Sequence, residues 1–415
     1  MARVNLTRTR KQEAGSRGRE EQNNWLLPAS CPLLATPRLL RLNFVMRKLG
    51  LLLFIMLASA LVSAQMDTSQ LHLPPGFHIS IFADTEQSPR MLTFSPGGVL
   101  MATATSEGTV LAMPDPRHTG EAERVVTVLK DLNGPHGIAF HSGGLYIAEV
   151  GKIVRYDWDE AHLRASNPRH IADLPSSGGG HMTRTILFAN GKLYASAGSS
   201  CNVCVETEPH RAAVLEMNDD GSGVHIFAHG IRNAVGLAYD PKTQTVWATD
   251  NGRDWLGDEL PPDEILDLGK NGGDFGWPWC YGDRVPDTRF SKDAPAHCTN
   301  VVLPKVNLQA HSAPLGLAFY NRSMFPKPYQ GSLFVAFHGS WNRSIPTGYK
   351  IVRIKLKDQT QPEGIEDFIT GWMPADATKS TKPAGRPVGI AIGADGAMYI
   401  SDDANGAIYR VTYGK

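Results

Sequence analysis

Six copies of one strand pattern dominate this sequence. A short apolar strand ends at Phe94, Phe140, Phe188, Tyr239, Phe319 and Ile392, and in four copies its residues are Gly-Leu-Ala or Gly-Ile-Ala before that position. Each copy continues through a turn into a second strand, as in Leu145-Tyr-Ile-Ala, Leu333-Phe-Val-Ala and Met398-Tyr-Ile-Ser. A third strand follows, as in Ile153-Val-Arg-Tyr and Ile351-Val-Arg-Ile. Successive copies lie 46, 48, 51, 80 and 73 residues apart, so loops are inserted late in the chain. Four-stranded units of about 40–50 residues repeated round a ring are the signature of a β-propeller. A β-sandwich gives no reason for one internal order to recur six times. The expectation is an all-β fold: one six-bladed β-propeller of four-stranded antiparallel blades over residues 65–415.

The residues before the repeats read differently. From Met46 the chain has a cationic head (Arg47, Lys48), an apolar run from Leu49 to Val62 and small residues at Ser63 and Ala64. This is the build of a secretory signal peptide over 46–64, too short for a comfortable membrane span. Residues 1–45 carry eight Arg or Lys and no periodic apolar pattern, and they read as an upstream extension outside the fold. The whole chain has 41 basic and 41 acidic side chains, whereas residues 65–415 hold 31 and 38, a formal charge of −7. Neither balance gives the broad cationic field of a nucleic-acid binder. An exported, periplasmic or secreted protein with no stable membrane insertion after cleavage is expected. Four cysteines remain in that part: Cys201, Cys204, Cys280 and Cys298. An even count in an exported chain points to two disulfides. Proximity favours Cys201–Cys204 and Cys280–Cys298, and a zinc site at Cys201-Asn-Val-Cys204 is the alternative.

The repeat also sorts the polar residues. In an up-and-down blade, the loop leading into the first strand and the loop joining the second to the third lie on one face. Those loops carry Arg90, Asn133, His136, His181, Arg184, Arg232, Asn233, His311 and Arg386, together with Asp250, Asn251, Asp254, His338, Trp341, Asn342 and Arg343. The opposite loops are plain turns such as Ser95-Pro-Gly-Gly98. Arg184, Arg232, Arg343 and Arg386 on one mouth suit an anionic ligand, because guanidinium pairs bidentately with carboxylate. Asp250, Asn251 and Asp254 around Gly252 offer the hard oxygens and tight turn that calcium favours. His181 follows three glycines and is placed to act as a general base. Trp277, Trp279 and Trp341 could supply a flat platform for a sugar ring.

The stretches GGGHMTRTILF, GSSCNVC, HGIRNAVGLAYDP, ATDNGRDWLGDELPPDE, GGDFGWPWCYG, HSAPLGLAFY, HGSWNRSIPTGYK and GRPVGIAI together resemble the soluble pyrroloquinoline-quinone (PQQ)-dependent sugar dehydrogenases of the glucose and aldose type, and most closely their L-sorbosone dehydrogenase-like branch. The resemblance runs from about Leu73 to Tyr413. It implies that PQQ and calcium serve as cofactors and a small sugar as substrate. It also implies a cytochrome or quinone as electron acceptor, and it leaves room for a homodimer. His181 matches the general base that takes a proton from the sugar hydroxyl while hydride passes to the quinone. Arg232 and Asn233 match the pair that contacts the quinone oxygens, with Arg232 also stabilising developing charge. Gly252 and Arg253 match the backbone that holds calcium beside the cofactor, with Asp250 adjoining, and Arg386 matches a carboxylate-binding arginine. His311 stands where glucose-oxidising members have Thr. Arg343 or Lys350 replaces a lysine contact in the fifth blade, and Asn133 stands near a glutamine position of the second. These departures weigh against glucose itself. A calcium-dependent lactonase-like hydrolase is the alternative, and a non-catalytic carbohydrate-binding propeller the third reading.

Overall fold

The computed structural model describes residues 67–414 except Gln359, and the expected extension and signal segment lie outside the described residues. Six sheets form the blades. Blade 1 holds Pro89–Phe94, Leu100–Ala104, Thr109–Met113 and Val126–Leu129. Blade 2 holds Gly137–His141, Gly144–Glu149, Lys152–Asp159 and Arg164–Asp173. Blade 3 holds Ile186–Ala189, Lys192–Ala197, Ala213–Met217 and His225–His229. Blade 4 holds Leu237–Asp240, Thr245–Asp250, Asp263–Asp267 and Val306–Leu308. Blade 5 holds Pro314–Phe319, Leu333–Phe337, Lys350–Lys357 and Gln361–Ile369. The first strands of neighbouring blades touch one another round the ring, and that of blade 6 meets that of blade 1. The six-bladed propeller expected from the repeats is the fold.

Burial explains the sequence periods. Second strands are buried on both faces because each blade is sandwiched between its neighbours, so Leu100–Ala104, Gly144–Glu149 and Leu333–Phe337 are buried throughout. Such strands read as unbroken apolar runs rather than alternations. The rim strand Gln361–Ile369 alternates exposed and half-buried residues over most of its length, as a strand with one wet face should.

Closure was not visible in the repeats. Blade 6 takes Pro387–Ile392, Met398–Asp402 and Ala407–Tyr413 from the C-terminal end and Phe77–Asp84 from the N-terminal side. The last two pair antiparallel, with Phe77 opposite Tyr413. Phe77 makes edge contacts with Phe325, Tyr329, Phe368 and Tyr413 at centroid distances of 4.8–4.9 Å. Emptying that aromatic nest by Phe77→Ala should cost about 3–5 kcal/mol. A denaturant midpoint unchanged from wild type would show that closure does not rest on it.

The long fourth repeat carries an inserted corner. Its Gly273–Asp274 adds a fifth, parallel strand to the rim of blade 3, beside Ala228 and His229. A short hairpin (Cys280–Tyr281 with Val285–Pro286) and the helix Ala294–His297 follow, joined by a Cys280–Cys298 disulfide. A second disulfide links Cys201 and Cys204, which leaves no thiolates for the zinc alternative. Among the described residues no helix is long and apolar enough to cross a membrane.

Candidate active site

Carboxylates at the ends of second strands set the mouth loops. Glu149 accepts the Asn133 N–H at 2.8 Å, Asp250 accepts those of Arg232 and Asn233 at 3.0 and 2.6 Å, and Asp402 accepts that of Arg386 at 2.9 Å. The same device therefore recurs in three blades, fixing the loop that leads into the first strand. Asp263 extends it between blades, accepting the Gly252 and Ala313 N–H groups, each at 2.9 Å. Burial pushes Asp250 up to about 6 and Asp263 up to about 7, and their backbone donors and Arg232 oppose the shift.

The mouth opens into a cavity of about 330 Å³ lined from blades 1, 3, 4, 5 and 6. His181, Arg232, Asn233, Gly252, His311 and Arg386 all line it, so most of the residues singled out from the sequence converge. Blade 2 contributes no lining residue, and Asn133 lies outside. The four-arginine mouth is redrawn. Arg184 is fully buried and donates to the carbonyls of His181, Thr183 and Pro175, so it braces the loop instead of facing the cavity. Arg211 helps it, reaching the His181 and Gly179 carbonyls. Arg343 donates to the Asp258 and Ala310 carbonyls and pairs with Glu259 at 2.7 Å, and Lys350 pairs with Asp367 at 2.6 Å, both away from the cavity. Arg90 takes the vacant part, lining the wall beside Arg386. Its loop position was the one available signal.

His181 is held by Ser199. Its Nδ1 lies 2.9 Å from the Ser199 Oγ and 3.2 Å from the Ser199 carbonyl, and its Nε2 has no partner among the described residues. Burial, reinforced by the Arg232 charge, holds its pKa down to about 3. Gly198 makes this approach possible, since a Cβ there would sit 2.6 Å from the His181 Cβ and 2.8 Å from the Asn233 Oδ1. Arg232 is buried and makes four hydrogen bonds, to the Asn202 carbonyl and side chain (both 2.9 Å), the Asn251 carbonyl (3.0 Å) and Asp254 (3.2 Å), which leaves a second N–H on Nη1 for a ligand in the cavity that it lines. Asn202 comes from the Cys201–Cys204 loop, so that disulfide pins a partner of Arg232. Arg253 turns away from the cavity to a bidentate pair with Asp287 at 2.8 and 3.0 Å. There it lines a smaller enclosed space with Asp250 and Glu264. His311 presents Nε2 to the Gly257 and Leu260 carbonyls at 2.9 and 3.0 Å.

On the outer rim, Trp255 and Trp341 meet edge to face at 5.2 Å and are 67% and 66% exposed. Trp255 also has φ of 72°, a conformation that a bulky side chain rarely adopts. Trp277 and Trp279 belong to the inserted corner, where Trp279 stacks on His297.

The cavity's donors suit a planar polycarboxylate. Arg90, Arg232 and Arg386 all line the cavity, and the buried Arg90 Nε has no hydrogen-bond partner, while the unpartnered Asn233 Oδ1 is an acceptor open to a ligand N–H. Gly252 and Asp263 line the same cavity and supply oxygen chemistry suited to calcium.

A family model described as TrAA12-like matches residues 71–414. An uncharacterized protein of Borreliella burgdorferi is 33% identical over 374 residues, covering 87% of this chain and 95% of that one. A pyrroloquinoline quinone-dependent pyranose dehydrogenase of Coprinopsis cinerea is 26% identical over 409 residues, covering 82% of this chain. This chain spans about half of that longer relative, 54% of its length. The calcium structure of Trichoderma reesei Carbohydrate-Active Enzymes Family AA12 superposes with a TM-score of 0.73 at 21% identity, covering 83% of this chain and 97% of that one, a likeness of fold. With the propeller, the polycarboxylate-suited cavity and a family match over nearly all the described residues, the chain belongs to the TrAA12-like family of PQQ-dependent sugar dehydrogenases.

Proposed function

We propose that this protein oxidises an aldose or a sorbosone-like aldehyde sugar in a PQQ- and calcium-dependent reaction, with His181 as the general base. The carrying observation is His181 Nε2, without a hydrogen-bond partner among the described residues, on the wall of a cavity also lined by Arg90, Arg232 and Arg386. PQQ supplies a two-electron acceptor when bound. Arg232, Asn233, Arg386 and Arg90 would hold it, and the main chain at Gly252 and Arg253, near Asp263, would hold calcium as a Lewis acid. His311 lines the same cavity and borders that group. Asn133, Arg343 and the Asp250 side chain serve this reading through the loops that they fix, whereas Lys350 ties two strands of blade 5 through Asp367.

His181 would take at Nε2 the hydroxyl proton of the carbon being oxidised, the anomeric hydroxyl of an aldose or a hydroxyl of the hydrated aldehyde sugar, while Ser199 fixes the ring through Nδ1. A neutral imidazole is required for this, and the burial that holds its pKa down keeps it neutral. Exposed Trp341, with Trp255 against it, gives the apolar face of the sugar a surface beside the mouth. Trp341→Ala should raise KM about 10-fold with kcat nearly unchanged, the mark of lost uniform binding. An equal fall in kcat and kcat/KM would contradict that role. The electrons leave to a cytochrome or quinone acceptor, and export to the periplasm or medium fits the signal segment.

Metal-stripped protein titrated with PQQ and calcium, then assayed for dye reduction with a panel of aldoses and aldehyde sugars, tests the reading. Dye reduction that needs both additions is the expected result. Lactone hydrolysis without PQQ would favour the hydrolase instead.

A further inference from the structure

The cavity holds a third imidazole besides those of His181 and His311. His338 lines the cavity, and its Nε2 lies 2.9 and 3.1 Å from the two carboxylate oxygens of Asp403. Asp403 also pairs with Arg90, so one carboxylate serves two donors. Arg386 reaches back to the His338 and Gly339 carbonyls at 3.2 and 3.0 Å, which fixes its guanidinium beside the ring. No described residue hydrogen-bonds His338 Nδ1, and the buried Arg90 Nε has no partner. His338 of blade 5 and Arg90 of blade 1 therefore share one carboxylate, and Arg386 of blade 6 is tied to the same loop. Two of the three groups are guanidiniums, so the wall is cationic when His338 is neutral.

We propose that His338, backed by Asp403 and flanked by Arg90 and Arg386, takes up one proton when a polycarboxylate binds in this cavity, and donates Nδ1–H to it. The inference rests on the PQQ reading above and adds a group to it. In the free protein the imidazolium is opposed by burial and by the Arg90 and Arg386 charges, which outweigh Asp403 and hold the pKa down to about 4. An incoming carboxylate cancels the arginine charges and accepts from Nδ1, and both effects favour the charged ring. Asp403, on the far nitrogen, is a positioning residue that keeps Nδ1 toward the ligand.

Other titratable groups share the space: His181, His311, Asp254, Asp263 and Arg232 on the lining, and Tyr349 against Arg386. The experiment must therefore assign the proton. Binding of PQQ to calcium-loaded apoprotein is measured by calorimetry at about pH 6, in buffers of different ionisation enthalpy. The expected uptake is about one proton for wild type and near zero for His338→Gln, with Asp403→Asn in between. Affinity should also rise as pH falls from about 8 to 5, by up to tenfold per unit. Binding without uptake, or uptake unchanged in His338→Gln, overturns the proposal and leaves the PQQ reading intact. Failure of wild type to bind PQQ overturns both. If His338→Gln does not bind, nitrogen NMR of the labelled His338 ring in wild type decides. Conversion to imidazolium on adding PQQ supports the assignment, and an unchanged ring refutes it.

Discussion

Replacing His181 by Ala is expected to lower sugar turnover by about 10²–10⁴-fold, the usual range for a lost general base. PQQ affinity should stay close to wild type, because the anion-facing donors Arg90, Arg232 and Arg386 are untouched. The pH profile gives a second check. With the pKa held down to about 3 by burial and Arg232, His181 stays neutral where an ordinary histidine at 6.5 would become charged. The carboxylates of bound PQQ would offset the Arg232 charge, so the acid limb that His181 imposes on activity in the loaded enzyme is expected above about 3 and is lost with the substitution. Its sign for stability follows from linkage: the folded protein resists protonating His181, so the destabilisation it causes grows as pH falls from 6.5 to about 3. Turnover that survives the substitution would remove His181 from the role of base.

Arg232→Ala should have the broadest consequence of any single change at the site. The guanidinium joins Asn202, Asn251 and Asp254 and is nine-tenths buried or more, so its loss leaves the Asn202 and Asn251 carbonyls without this donor and Asp254 with Asn342 as its remaining side-chain partner. Breaking one partner of a buried pair costs about 3–5 kcal/mol. PQQ affinity should fall by at least about 100-fold, equivalent to two powers of ten in the binding constant. Lysine should rescue neither, because a point charge cannot reproduce four directed bonds. Near-normal PQQ affinity with a lowered denaturation midpoint would make Arg232 a structural residue alone.

The ring was legible because its period is carried by strands buried on both faces, whose apolar runs vary little in type. The mouth was legible as a set of loops for the same reason, since loop position follows from repeat position. The direction of each side chain was not. Arg184 and Arg232 occupy equivalent loops, yet the Pro175, His181 and Thr183 carbonyls of its own loop engage Arg184 before it can reach the cavity. Arg90 reaches the cavity because Asp403, more than three hundred residues away in sequence, holds it there. Asp250 reads as a metal ligand in the sequence, whereas its two oxygens accept backbone N–H groups, a part visible only once Glu149 and Asp402 are seen doing the same. The strand that blade 3 receives from the insertion has only two residues, below the length at which alternation can be recognised.

The mixed origin of blade 6 means that the start and finish of the described chain are neighbours in one sheet, with Phe77 facing Tyr413. A ring closed in this way has no obligatory first blade. Joining those ends and opening the chain instead at a plain turn on the connective face, such as His141–Gly144, would give a circular permutant with every cavity-lining loop unbroken. The order in which the blades are encoded is then separable from the chemistry that they surround.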